Sequence, residues 1–300
     1  MKLFQTAAMF LTLGGSAWAA ADPQLLGLLM PEAKMIAGVQ LTDAKASPFG
    51  QYILAQVGPG AEFDKIKAAT GFDPRTDLTA LVGGATIDGQ SALIAGRGTF
   101  QPTRITNLAM TAGATIESYR GVNIISVDKE ATVAFLDAST VILGKNSLKP
   151  AIDRWLSSTR TSTPLSVKAT ETSATSQAWA VASGLSQFVP KTGASVPPEA
   201  QIMQNVASKI DQLSGGVNFG AAITMHGQIL TASAQDAQAL SDVFQFALTM
   251  ASGKTPLPAL PQVSATGSAV NFTLTLTEQQ VEQLLKPATT ARTALQAARR

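Results

Sequence analysis

The chain has 300 residues, 45% of them hydrophobic and only 14% charged, with a formal net charge of +2, one histidine and no cysteine. Such a length suits one large domain or two ordinary ones with a sizeable core, and Ser, Thr, Gln and Asn must wet the surface where soluble domains normally carry roughly 25% charge. The near-balance of charge, without a basic stripe, argues against a nucleic-acid partner; the missing cysteines exclude disulfides, thiolate metal sites, catalytic thiols and a lipid-bearing cysteine, and a lone histidine excludes multi-histidine metal sites.

The first 19 residues read as a cleaved signal peptide. Lys2 supplies the positive start, Leu3 to Leu13 is mostly apolar, and Gly14-Gly15-Ser16 breaks the helix before Ala17-Trp18-Ala19, an A-x-A site. The apolar run is shorter than the roughly 20 residues of a spanning helix, so the chain is expected to be exported to the periplasm or cell surface, with no transmembrane span after cleavage. Without Lys2 it carries 21 basic and 20 acidic side chains.

Hydrophobic periodicity then predicts alternating strands and helices. A strand is expected over Lys34–Leu41, a helix opened by Ser47-Pro48 and running to Val57, and a second helix over Glu62–Thr70 that stops at Gly71. Strands follow near Leu81–Ile87 and Ser91–Phe100, a helix over Pro102–Ala112, strands over Val122–Val127, Ala131–Leu136 and Thr140–Leu143, and a helix over Leu148–Leu156. Beyond a Ser/Thr-rich joint at Ser157–Val167 come a strand at Ala178–Ala182, a helix over Pro198–Leu213, and strands at Val217–Met225 and Ile229–Ser233. A helix over Asp236–Met250 should turn Leu240, Val243, Phe244, Ala247 and Leu248 inward; a proline-bearing loop, Gly253–Gln262, leads to a strand at Val270–Leu276 and a last helix at Glu278–Leu285.

One turn suggests duplication. Thr86-Ile87-Asp88-Gly89-Gln90 lines up with Thr224-Met225-His226-Gly227-Gln228, and Asp-Gly between strands is a two-residue hairpin signal that His-Gly can imitate. The expected architecture is therefore α+β, in two related halves, each an antiparallel sheet with helices packed on one face. The halves would span 20–160 and 161–287, ahead of a flexible basic tail at 288–300 containing Arg292, Arg299 and Arg300.

Few residues suggest chemistry. Asp73, Arg75 and Asp77 form the one candidate polar cluster, since two carboxylates with an arginine can hold a metal or an anion; the same residues also suit a helix cap, with Asp73 at the cap and Pro74 in the first turn. His226 reads as a turn residue. Gly253-Lys254-Thr255 lacks the upstream glycine and the preceding strand of a phosphate loop, Gly96-Arg97-Gly98 lacks the third glycine of a dinucleotide fingerprint, and Glu278 and Glu282 belong on a solvated helix face. No catalytic, cofactor-binding or metal-binding residue is assigned, and no cofactor is expected.

The runs Leu28-Leu29-Met30-Pro31-Glu32-Ala33-Lys34, Ser47-Pro48-Phe49-Gly50-Gln51-Tyr52 and Gly71-Phe72-Asp73-Pro74-Arg75-Thr76-Asp77-Leu78 resemble a group of uncharacterised exported proteins of Acidobacteria-like bacteria. That group has no assigned activity, so the resemblance implies export and an α+β fold and carries over no site. The expected function is non-catalytic: binding or interaction with another envelope protein. The alternatives are a carrier of an apolar ligand held between sheet and helices, and an envelope enzyme relying on carboxylates.

Overall fold

In the computed structural model, which describes residues 20–51, 61–126, 132–157, 162–184, 208–252, 259–277 and 279–281, twelve strands pair antiparallel into one sheet. The strands are β1 Met35–Gln40, β2 Leu78–Ala85, β3 Ala92–Gly98, β4 Thr115–Tyr119, β5 Val122–Ser126, β6 Thr132–Phe135, β7 Thr140–Lys145, β8 Ala178–Ser183, β9 Ile210–Phe219, β10 Ala222–Thr231, β11 Gln262–Thr266 and β12 Ala269–Thr277. Their order across the sheet is β11-β12-β10-β9-β8-β1-β2-β3-β7-β6-β5-β4. The helices are α1 Pro23–Leu28, α2 Leu41–Ala46, α3 Ala61–Thr70, α4 Pro74–Asp77, α5 Pro102–Thr111, α6 Leu148–Ser157, α7 Pro164–Ser173 and α8 Ala234–Ser252. The signal-peptide and basic-tail segments, residues 198–207 of one expected helix, and Glu278 and Glu282 lie outside the described residues.

The α+β class is as expected, but the strands form one continuous sheet, joined through the β1–β8 pair, where one sheet for each half was expected. Outward from that pair the order is β1-β2-β3-β7-β6 in one direction and β8-β9-β10-β12-β11 in the other. Each direction runs strand, hairpin, then a second hairpin with its later strand innermost, and β5 and β4 extend the first side.

The turn match that suggested duplication does not fall on this order. Asp88-Gly89 is a true turn between β2 and β3, with Gly89 at φ 65°. His226 and Gly227 lie inside β10, opposite Gly216 and Gly215 of β9, and the chain turns at Gly220-Ala221 instead. From Ile210 on, the expected Pro198–Leu213 helix is likewise strand: Ile210 and Leu213 sit at helical spacing, yet β9 is held by pairing with both β8 and β10. Such two-sided pairing overrides local helical period.

Period-two alternation places the main core on one face. Ile36, Val82, Leu93, Ala95, Ile142, Trp179 and Val181 point to that face and pack against Leu25 and Leu28 of α1, Ala151 and Ile152 of α6, and Leu165 and Ala169 of α7. Burying each large apolar side chain contributes roughly 1.5–3 kcal/mol. Asp22 caps α1, accepting from the Gln24 backbone N–H at 2.8 Å, and pairs with Arg97 of β3 at 2.6 Å, which ties the helix to the sheet.

Helix α7 begins inside the expected joint, over Pro164–Val167. Thr163 and Ser166 form a reciprocal capping box ahead of Pro164, a cap-then-proline pattern of the kind that starts helices. Helix α8 lies on the opposite face of the sheet, with Ala237 and Leu240 against Ile229 and Val270, and Phe244 edge-on to Phe272 at 5.0 Å. Helices thus cover both faces. Of the residues expected to turn inward on α8, Leu240 is buried while Val243 is 52% exposed, because the helix docks through the stripe containing Ala237, Leu240, Ser241 and Phe244.

Candidate functional site: two clefts on opposite faces of the sheet

The first cleft is apolar. On the face opposite the main core, Met35, Ala37 and Val39 of β1, Leu81 and Ala85 of β2, and Ile94 of β3 line an open groove of about 470 Å³. These side chains alternate with core residues: Met35, Ala37 and Val39 flank Ile36 and Gly38, and Ile94 lies between Leu93 and Ala95. Both faces of β1–β3 are thus apolar, one packed in the main core and the other lining the groove. Met35 and Ile94 are 46% and 47% exposed, and among the described residues no charged side chain lines the groove.

The second cleft is polar, about 270 Å³, and lies on the core face beside α7. Its floor continues the register of the core: Trp179 and Val181 of β8 pair with Gly216 and Ser214 of β9, which pair with His226 and Gln228 of β10, which pair with Thr273 and Asn271 of β12. The apolar core ends at β8, and amide, hydroxyl and imidazole groups take its place.

His226 is therefore half-buried in a cleft wall, where a turn was expected. Its Nε2 and the hydroxyl of fully buried Ser176 share a hydrogen bond of 3.0 Å. Gly216 makes room for this contact, since a Cβ there would overlap the Ser176 side chain. Burial pushes the His226 imidazole below its ordinary pKa, so the ring is neutral at neutral pH. Nearby, the Lys168 ammonium donates to Gln228 Oε1 at 3.0 Å and lies 3.6 Å from the Glu171 carboxylate, while Gln228 Nε2 donates to Asn271 Oδ1 at 3.1 Å.

A hydroxyl hydrogen-bonded to an imidazole has the spacing of a nucleophile and its base. Ser176 Oγ is closed off from any substrate, however, and among the described residues no carboxylate bonds the ring. The contact orients the imidazole.

The third arrangement is the predicted polar cluster. Asp73, Arg75 and Asp77 do come together, joined by Asp64 and Lys67. Asp73 caps α4 by accepting from the Arg75 backbone N–H, and its two oxygens take the Arg75 guanidinium at 2.8 and 3.0 Å. Asp77 accepts from the Asp73 backbone N–H at 2.7 Å, and Arg75 also reaches Asp64 at 2.7 Å. The guanidinium holds the Asp73 carboxyl well below the usual carboxylate range, and the two aspartates hold Arg75 well above its own. Lys45 donates to the Pro74 and Leu78 carbonyls, its pKa lowered by burial against the pull of Asp73 and Asp77. The cluster's oxygens are committed to cap and arginine; among the described residues no group of three or more His, Asp or Glu could hold a metal ion.

The polar cleft has no short-range sequence signal. Lys168, Ser176, His226, Gln228 and Asn271 come from separate elements, and Met35 and Ile94 look like ordinary strand residues. The readable sign of the groove was that β1 and β3 are apolar at both parities, which marks a strand able to be buried on both faces.

No protein-family model matches the chain, and no curated protein matches it. Its fold is similar to crystal structures of TP0453. Crystal form I has 13% sequence identity and a TM-score of 0.50, covering 89% of this chain and 97% of that one. Crystal forms III and IV have 12% identity with TM-scores of 0.52 and 0.51, covering 88% and 89% of this chain and 98% of the other. At such identity the likeness is one of fold.

Proposed function

We propose that this chain is an exported, non-catalytic binding protein of the cell envelope, and that the groove over β1–β3 holds a small uncharged apolar ligand. One observation carries the reading: a groove with an apolar lining, free of charged side chains among the described residues, and within the roughly 300–1,000 Å³ of small-molecule sites. Exposed apolar surface of this kind marks a place where something binds. Export rests on the Met1–Ala21 pattern and on the resemblance to exported proteins. The ligand sits on the open face of the sheet, whereas the carrier expected from the sequence would hold it between sheet and helices. No helix among the described residues is long and apolar enough to cross a membrane.

The test is titration of the purified protein with an uncharged apolar fluorophore, N-phenyl-1-naphthylamine, followed by competition with a long-chain alcohol. Saturable binding that the alcohol displaces and that Ile94→Lys abolishes is the expected result. Unchanged binding in Ile94→Lys, or self-association that buries the groove in place of probe binding, would remove the reading.

A further inference from the structure

The polar cleft beside α7 opens on the opposite face of the sheet from the apolar groove. Its chemistry follows from what its groups have already spent. Gln228 is committed through both amide atoms, to Lys168 and to Asn271. Asn271 uses only its carbonyl oxygen, so its NH2 has two unspent donors. His226 uses Nε2 on Ser176 and also lines the cleft. Thr273, on the exposed rim opposite His226, adds a hydroxyl that both donates and accepts.

Charge narrows the class. Among the described residues, the cleft's one cation, Lys168, is matched by the Glu171 carboxylate 3.6 Å away, and no other charged group lines it. An anion would face Glu171 and a cation would face Lys168, so a ligand without charge is the complementary one. Donors and acceptors stand side by side, which suits a group that offers both from one atom: a hydroxyl. The volume, about 270 Å³, falls just under the range of drug-sized ligands. Phe272 belongs to the cleft's lining, but its place in β12 turns its ring to the opposite face, where it packs on Phe244. A flat ring stack is thus not part of the recognition.

We propose that this cleft binds a small uncharged polyol, held by Asn271, Thr273, His226 and Lys168. The Ser176 hydrogen bond and the space at Gly216 position the imidazole, and Gln228 positions Asn271.

The chain's one histidine makes the test direct, because its imidazole gives a single set of NMR signals. Sorbitol, acetate and glycine are titrated separately into the full chain while the His226 signals are followed. Sorbitol should shift them saturably, and neither the carboxylate nor the zwitterion should. Thr273→Val alters only the exposed rim, and Asn271→Ala removes the free amide; each should weaken sorbitol binding about tenfold, the worth of one hydrogen bond. Failure of sorbitol to saturate, an equal response to acetate, or unchanged affinity in Thr273→Val would each overturn the proposal. Because Thr273 is exposed, that variant decides the matter even where Asn271→Ala fails to fold. The apolar fluorophore binds elsewhere, so its result stands apart.

Discussion

Ser176 and His226, fifty residues apart, share a 3.0 Å hydrogen bond that pins the chain just past α7 to the middle of β10. The contact depends on Gly216, the residue directly opposite His226 in the register of β9 and β10. Gly216→Ala should be strongly destabilising, by about 2 kcal/mol or more, since the new methyl must displace a buried side chain. Gly227→Ala, one position along β10, meets only ordinary contacts at 3.7 and 3.9 Å and should change stability by no more than about 1 kcal/mol. Denaturant unfolding of the two variants checks the contrast.

The same histidine gives stability a pH dependence. Burial lowers the His226 pKa in the folded state from 6.5, so the unfolded chain binds a proton first as pH falls. Stability contributed at this site is therefore full above about pH 6.5 and declines as pH falls through the interval below it. His226→Gln should flatten the stability profile between pH 7 and 5, as measured by urea midpoints. An unaltered profile would show that the ring is not desolvated.

The Asp73–Arg75 cap follows the same direction at lower pH. Its folded-state pKa is depressed below the ordinary 3.8, so its contribution is present above about pH 4 and is lost as pH falls further. Asp73→Ala at pH 7 should cost about 2 kcal/mol or more, because it removes a helix cap and the partner of a charged side chain. Asp73→Asn keeps a capping oxygen and should cost less. Thermal unfolding of both variants at neutral pH gives the comparison.

Filling the apolar groove should separate binding from folding. A Cβ at Gly83 would make only 3.6 Å contacts with Ile94 and the Leu93 carbonyl, so Gly83→Leu can extend into open space. Apolar-probe affinity should fall by about tenfold or more while the melting temperature moves by only a few degrees. Loss of fold together with binding would mean that the groove floor is part of the core.

Much of the fold was legible because strands with clear alternation and helices with clear caps announce themselves locally. β1, β3, α5, α6 and α8 lie close to the predicted spans. The Asp73 cap was legible too, since Asp-Pro ahead of a short helix is a local signal. Strands β4 and β11 went unread: Thr115–Tyr119 has one aliphatic residue, and Gln262–Thr266 follows a proline-rich run. β9 and β10 were shifted because Gly215-Gly216 and His226-Gly227 look like turn residues. Their real role is close approach: glycine in one strand faces the carbonyl of His226 and the hydroxyl of Ser176.

By itself the sequence determined the α+β class, the absence of thiol chemistry and of multi-histidine metal sites, and the local caps, because composition and short-range hydrogen bonding decide these. Only the tertiary structure decided that the strands join in one sheet of twelve and that two clefts open on opposite faces. The reason is physical. A strand's alternation states which residues share a face, but not which face a helix will cover. That depends on contacts such as Leu25 with the β1–β3 core and Leu240 with Val270, made between segments far apart in the chain. The polar cleft depends further on the register of β9, β10 and β12, where a slip of one residue would carry His226, Gln228 and Asn271 to the opposite face.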